Sequence, residues 1–182
     1  MASVSRLGSG SSCRSFEGPW VLWEGADARA VPGAAYVDLV LLVASLRKDV
    51  SSSAAHAAVT GSPLWTGRTD RAGDRARRLR GALAQGAAAE VARVAWAELW
   101  DMHSLFHTSP EPFSYWLPQS LEILLWLKPF AQNGTVVTMD AGPNVHLLVP
   151  PEQVAAWRER IAARFPGLTV LEDRAGSGAG LI

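Results

Sequence analysis

A chain of 182 residues is long enough for one domain, or one domain plus a fragment, with a substantial hydrophobic core. Hydrophobic residues make up 48% of the sequence, which argues against a disordered chain. The 17 basic residues balance the 17 acidic ones, so we expect neither nucleic acid nor a membrane surface as partner. The single cysteine, Cys13, excludes an intrachain disulfide and is typical of a reducing cytosol, so we expect a cytoplasmic protein.

The first motif is the loop Gly8-Ser-Gly-Ser-Ser-Cys-Arg14. Its glycines permit close backbone approach, and its hydroxyls and arginine are suited to holding a phosphate or a carboxylate. The same composition is also typical of a flexible tail. The spacing matches neither the dinucleotide fingerprint nor the Walker loop, so both interpretations remain open at this stage.

The following elements alternate between apolar runs and helical periodicity. Hydrophobic patterning predicts strands at 19–24, 36–45, 134–138, 145–149 and 168–171, a polar turn region at 25–34, and helices at 54–59, 69–106 with a break near 85–86, 119–127 and 150–165. The serines at 51–53 mark a helix N-terminus, which serves either as an ordinary cap or as a phosphate site. This order of elements predicts an α+β domain in which helices pack on an antiparallel sheet.

Two clusters of charged or titratable residues lie in the long helical stretch. Residues 68–80 hold six arginines and two aspartates, which we interpret as a solvated helix face rather than a nucleic-acid patch. His103 and His107 have the i, i+4 spacing of a zinc-binding helix. No glutamate directly follows His103 and no third ligand is evident, so we predict no metal site.

The most informative stretch is Thr138-Met-Asp-Ala-Gly-Pro-Asn144, which lies between two apolar, β-branched runs. Gly142 and Asn144 tolerate positive φ and Pro143 favours a turn, so the pattern predicts strand, turn, strand with Asp140 at the tip of a strand. A carboxylate in that place is held by rigid scaffold beside open space. Asp140 is therefore a candidate catalytic residue, and the alternative is an aspartate that only caps its turn.

Five blocks, taken in order, resemble the mevalonate diphosphate decarboxylase family of the GHMP kinase superfamily. They are Gly8-Ser-Gly-Ser-Ser-Cys-Arg-Ser15 with Gly18 and Trp23, Lys48-Asp-Val-Ser-Ser-Ser53 with Thr60-Gly-Ser-Pro-Leu64, Met102-His103, Pro112-Phe-Ser-Tyr115 and Thr138-Met-Asp-Ala-Gly-Pro-Asn144. The first and last blocks are the specific ones. The resemblance implies a GHMP-kinase C-terminal-domain-like fold.

The resemblance also implies a reaction, the ATP-dependent decarboxylation of mevalonate 5-diphosphate to isopentenyl diphosphate, with ATP and Mg²⁺ as cofactors. Asp140 would lie against the 3-hydroxyl of the substrate, and Arg14 would hold the substrate carboxylate as a second catalytic residue. Ser9 and Ser11 would contact the substrate, and Ser52 the nucleotide phosphates.

Departures from the family pattern limit what the resemblance covers. That pattern begins well before Gly8, with a lysine-bearing strand and a glycine- and serine-rich loop for the ATP phosphates, whereas this chain has only Lys48 and Lys128. Ala55 and His56 stand where the family usually has Gly-Met. We therefore expect the C-terminal portion of such an enzyme, with most of the ATP site missing. Residues 1–35 would be a remnant of the N-terminal domain and 36–182 the C-terminal domain.

Several hypotheses remain open for such a chain. It would be a truncated or mis-started gene product, or half of a split enzyme completed by a separate N-terminal half, for which exposed Trp20 and Trp23 would form a docking face. Otherwise it would be a non-catalytic interaction domain. A monophosphate decarboxylase or a GHMP small-molecule kinase is a further alternative, because contacts to the substrate phosphates belong largely to the missing half. A homodimer is also possible.

Overall fold

The fold is known from a computed structural model, which describes residue 18 and residues 20–24, 27–45 and 50–176. The predicted substrate residues Ser9, Ser11 and Arg14 lie outside these described residues. In chain order the elements are β1 (Trp20–Glu24), β2 (Asp27–Val31), β3 (Val37–Leu42), α1 (Ser52–Ala58), α2 (Arg68–Ala84), α3 (Ala88–His107), α4 (Pro118–Gln132), β4 (Val136–Thr138), β5 (Val145–Val149), α5 (Val154–Arg164) and β6 (Thr169–Arg174).

A four-stranded antiparallel sheet with the order β4-β5-β3-β6 organises the molecule. Strand β3 is central, and buried and partly buried residues alternate along it because its two faces meet different neighbours. Strands β1 and β2 form a separate two-stranded antiparallel sheet. The predicted α+β class with helices packed on an antiparallel sheet is confirmed.

The main hydrophobic core lies between one face of the four-stranded sheet and helices α4 and α5. Its fully buried side chains come from alternate strand positions and from one face of each helix, and they include Leu39, Leu41, Ile123, Leu124, Leu127, Val145, Leu147 and Ile161. Burying a side chain of this size contributes roughly 1.5–3 kcal/mol, so this layer fixes the position of the β4–β5 hairpin.

The opposite face of the sheet is partly covered where α2 ends and α3 begins. Val136 of β4 packs with Leu83 and Val91 there. The predicted break between the two helices is confirmed, since Gly86 adopts a φ of 63° that favours glycine. In the part of the chain that the structure describes, no helix has the length and apolar character needed to span a membrane.

Only part of the arginine-rich stretch of α2 is the solvated face that the composition suggests. Arg77, Arg78 and Arg80 are exposed, whereas the other three arginines lie against α3. Arg68, Arg71 and Arg75 all form ion pairs with Asp101 of α3, and the Arg75–Asp101 distance is 2.6 Å. Arg68 and Arg75 also pair with Glu98. Burial alone would raise the pKa of Asp101, but hydrogen bonds from Arg71 and Arg75 outweigh it and hold that pKa below its usual value. The arginines therefore join α2 to α3.

Two further predictions near the first strands are wrong. The segment predicted as a polar turn contains β2, which pairs with β1 from Trp20↔Val31 to Glu24↔Asp27. Trp20, expected to be exposed, is partly buried: its ring packs edge-on against Tyr36 at 5.8 Å, and its indole N–H donates to the Ala34 carbonyl at 2.8 Å. Trp23 is exposed, as expected.

Candidate active site at the turn between β4 and β5

Asp140 occupies the position that the sequence predicts. Strands β4 and β5 pair as a hairpin, with Val136 opposite Leu148 and Thr138 opposite His146. The preceding residue, Met139, is buried in the main core, whereas Asp140 is exposed. The side chain of Asp140 is thus presented to solvent directly after a fixed strand, and its own carbonyl accepts a hydrogen bond from the Gly142 N–H at 2.8 Å.

Side-chain hydrogen bonds hold the turn on two sides. The Asn144 Oδ1 accepts from the backbone N–H groups of Val43 and Ala44 at 2.9 and 3.1 Å, which joins the turn to the end of β3. The buried Ser120 hydroxyl donates to the Pro143 carbonyl at 2.6 Å, which joins the turn to the start of α4. No described residue other than glycine has a positive φ, so Asn144 serves the turn through its amide oxygen rather than through a left-handed backbone.

The predicted helix start at the serine block is confirmed. Ser51 caps α1, since its Oγ accepts from the Ala54 N–H at 3.2 Å. Ser52 lies exposed in the first turn of that helix. The Tyr115 hydroxyl donates to the Val50 carbonyl at 2.9 Å, so the segment that ends in Tyr115 is joined to the start of α1.

Four of the five blocks that carry the family resemblance meet in one hydrophobic cluster. It contains Val50 just before α1, Met102 of α3, Tyr115, and Ala141 directly after Asp140. These residues are far apart in the sequence, so only the tertiary fold brings them together. The turn that bears Asp140 is therefore the meeting point of the described blocks.

His103 lies beside this turn and is completely buried. Its ring packs against Trp116 at 5.1 Å, Phe106 at 5.3 Å and Tyr115 at 6.4 Å. Burial, with repulsion from His107, lowers the pKa of His103 to about 4, although the Asp140 carbonyl acts in the opposite direction. His103 is therefore neutral near pH 7. The sequence analysis considered it as a metal ligand and as part of the Met102-His103 block, although its place among apolar residues at helical spacing was a signal of burial.

A second histidine near Asp140, His146, was not predicted to have any role. His146 of β5 forms a hydrogen bond at 2.7 Å with Asp38 of β3. That hydrogen bond raises the pKa of His146, burial opposes it, and the negative charges of Asp38 and Asp140 add to the rise. No sequence motif could have indicated this pair, because its members are 108 residues apart.

The described part of the chain offers few ligands for a metal ion. The described residues contain no group of three or more His, Cys, Asp or Glu side chains that could hold a metal ion. Asp140 is a single exposed carboxylate, whereas Mg²⁺ takes several oxygen ligands. The described residues therefore do not fit a resident Mg²⁺ site.

Comparison with known proteins assigns the class first. A sequence model described as the mevalonate 5-diphosphate decarboxylase C-terminal domain matches residues 38–178. The match agrees with the α+β fold and with the resemblance carried by the blocks around Asp140. The chain belongs to the mevalonate 5-diphosphate decarboxylase family, and its matched part is the C-terminal domain of that family.

Individual relatives agree with this assignment. The diphosphomevalonate decarboxylase of Saccharomyces cerevisiae is 32% identical in an alignment of length 165 that covers 81% of this chain and 42% of the yeast protein. The crystal structure of a mevalonate diphosphate decarboxylase from Legionella pneumophila is similar with a TM-score of 0.85 and 39% identity, over 93% of this chain and 56% of that one. MDDEF in complex with MVAPP, AMPPCP and magnesium is similar with a TM-score of 0.88 and 25% identity, over 97% and 58% of the two chains. The chain thus spans about half the length of these relatives.

Proposed function

We propose that this chain supplies the C-terminal part of an enzyme that converts mevalonate 5-diphosphate to isopentenyl diphosphate, with ATP, in isoprenoid biosynthesis. The observation that carries the proposal is the exposed Asp140 on a turn held by Ser120 and Asn144. Neither of these two hydrogen bonds uses the Asp140 carboxylate, so the turn is held without it. Family membership supplies the reaction class.

In the proposed reaction Asp140 acts on the 3-hydroxyl of the substrate. Its carboxylate orients the hydroxyl and accepts its proton while the oxygen attacks the γ-phosphorus of ATP, and ADP leaves. The C–O bond to the new phosphate then breaks, the carboxyl group leaves as carbon dioxide, and the electron pair of the broken C–C bond forms the alkene. Most of the remaining catalysis is positioning and neutralisation of charge.

The other predicted site residues complete the proposal. Arg14 would bind the substrate carboxylate with its planar guanidinium, while Ser9 and Ser11 would contact the substrate. Ser52 would face the nucleotide phosphates, which is consistent with its exposure in the first turn of α1. ATP and Mg²⁺ are proposed because MDDEF was solved with AMPPCP and magnesium.

The proposed partner is an N-terminal half, and the proposed compartment is the cytoplasm. We take residues 1–35 as a remnant of the N-terminal domain and residues 36–182 as the C-terminal domain. In support, β1 and β2 form a sheet of their own, and the family match begins at residue 38. Trp23, whose residue surface is 39% exposed in this hairpin, would lie at the junction of the two halves.

The proposal is tested by replacing Asp140 in a complex of this chain with an N-terminal half taken from a family member. Asp140→Asn should abolish ATP-dependent release of carbon dioxide and leave the circular dichroism spectrum and the unfolding midpoint unchanged. Asp173→Asn, which alters another exposed aspartate, is the matched control and should retain activity. Mevalonate 5-phosphate and 5-diphosphate should be supplied side by side, and turnover of the diphosphate is expected. An active Asp140→Asn complex, or a wild-type complex without turnover, would refute the proposal.

A further inference from the structure

A group of buried polar atoms in and around His103 lacks hydrogen-bond partners among the described residues. Among the described residues, no partner is present for the indole nitrogens of Trp100 and Trp116 or for either ring nitrogen of His103. The three rings are in contact: Trp100 packs on Trp116 at 4.8 Å, and Trp116 packs on His103 at 5.1 Å. A buried polar atom without a partner is costly, so an acceptor close to these rings would stabilise them.

The chemistry of the three rings determines what they lack. Each indole offers one N–H donor, and a neutral imidazole offers one N–H donor and one acceptor nitrogen. The cluster therefore contains three donors and only one acceptor. The His103 ring contacts Tyr115, which packs in the same hydrophobic cluster as Ala141, so His103 lies beside the peptide that follows Asp140. The Asp140 carbonyl also opposes the fall in the pKa of His103. That carbonyl is an acceptor that His103 can use.

We propose that His103 is a positioning residue for Asp140, and that the ring N–H of His103 donates to the Asp140 backbone carbonyl. The same carbonyl already receives the Gly142 N–H. Two donors on one carbonyl fix the plane of the peptide that follows Asp140, and with it the direction in which the carboxylate leaves the backbone. His103 does not itself touch the substrate.

This role matters for catalysis because small displacements of a reacting group lower the rate of the reaction. A misplacement of about 1 Å can lower a rate on the order of a hundredfold. The consequence for turnover rests on the proposed function, whereas the contact between His103 and the turn does not. The test is therefore made first on the 182-residue chain without substrate.

Hydrogen exchange of the Gly142 amide reports directly on the turn. In His103→Phe, which keeps an aromatic ring and removes the N–H, the Gly142 amide should exchange at least tenfold faster. The Leu147 amide in the middle of β5 should change less than twofold. His107→Phe is the matched control one helical turn away, and it should leave both amides as in the wild type. His103→Gln restores an N–H donor and should recover part of the protection.

Unchanged exchange at Gly142 in His103→Phe, or equal acceleration at Gly142 and Leu147, would overturn the proposal. If His103→Phe does not fold, the ¹⁵N spectrum of the wild-type imidazole decides instead: one fixed neutral tautomer is expected, and two exchanging tautomers would refute the idea. In the reconstituted enzyme, kcat of His103→Phe should fall more than tenfold with KM little changed. Normal kcat together with faster Gly142 exchange would refute the effect on catalysis and leave Asp140 itself unaffected.

Discussion

Acidification should destabilise this chain because the buried His103 resists protonation in the folded state. The pKa of its imidazole is about 4 in the folded chain and 6.5 for the ordinary group. As pH falls below 6.5, the imidazole of His103 binds a proton in the unfolded chain but not in the folded chain. Folding stability therefore decreases between pH 6.5 and pH 4. From pH 7 to pH 5 these two values give a loss of about 2 kcal/mol from this one residue.

Comparison with His103→Phe isolates this contribution, because the other titrating groups are present in both proteins. Urea unfolding followed by tryptophan fluorescence at pH 7, 6 and 5 gives the free energy of unfolding for each. The wild type should lose about 2 kcal/mol more than His103→Phe over that range. His56→Gln, which removes an exposed histidine, should follow the wild type.

Equal losses in the wild type and in His103→Phe would refute the argument, since they would mean that the folded chain accepts a proton on His103 as readily as the unfolded chain does. An NMR titration of the wild-type ring provides a direct measure. A midpoint near 6.5 instead of near 4 would lead to the same refutation.

Two further predictions concern contacts that hold the site and the helices in place. Ser120→Ala removes the donor to the Pro143 carbonyl and should reduce the free energy of unfolding by about 1–3 kcal/mol in urea titrations; an unchanged value would show that water replaces the hydroxyl at no cost. Asp101→Asn removes the charge shared by three arginines and should lower the free energy of unfolding by about 1–3 kcal/mol. Asp74→Asn removes one partner of an exposed ion pair and should change that free energy little. Similar effects of the two aspartate substitutions in thermal unfolding would contradict the special role of Asp101.

The parts of the fold that the sequence could predict depend on local signals. The hairpin around Asp140 follows from two β-branched runs and a turn segment, and the start of α1 follows from Ser51 before an alanine-rich run. The break at Gly86 follows from the conformational freedom of glycine. Each of these features is decided within a few residues of the chain.

The features that the sequence did not predict depend on distant partners. Strand β2 carries charged side chains and was interpreted as a turn, because only its pairing with β1 makes it a strand. All the arginines of α2 were interpreted as solvated, but Arg68, Arg71 and Arg75 pair with Asp101, which lies some 30 residues further along the chain. The same reason explains His103: its burial is contributed by Tyr115 and Trp116, from the segment that follows α3.

The strand order has a consequence for synthesis of the chain on the ribosome. Strand β3 lies at the centre of its sheet, yet both of its neighbours, β5 and β6, follow it by more than 100 residues. Synthesis proceeds at roughly 5–20 residues per second, so on the order of ten seconds pass after β3 is made before either neighbour has been made. During that time an apolar strand has two unpaired edges, which is the condition under which nascent chains aggregate or recruit chaperones. Efficient production of the protein should therefore depend on what protects residues 37–42 while the last third of the chain is being translated.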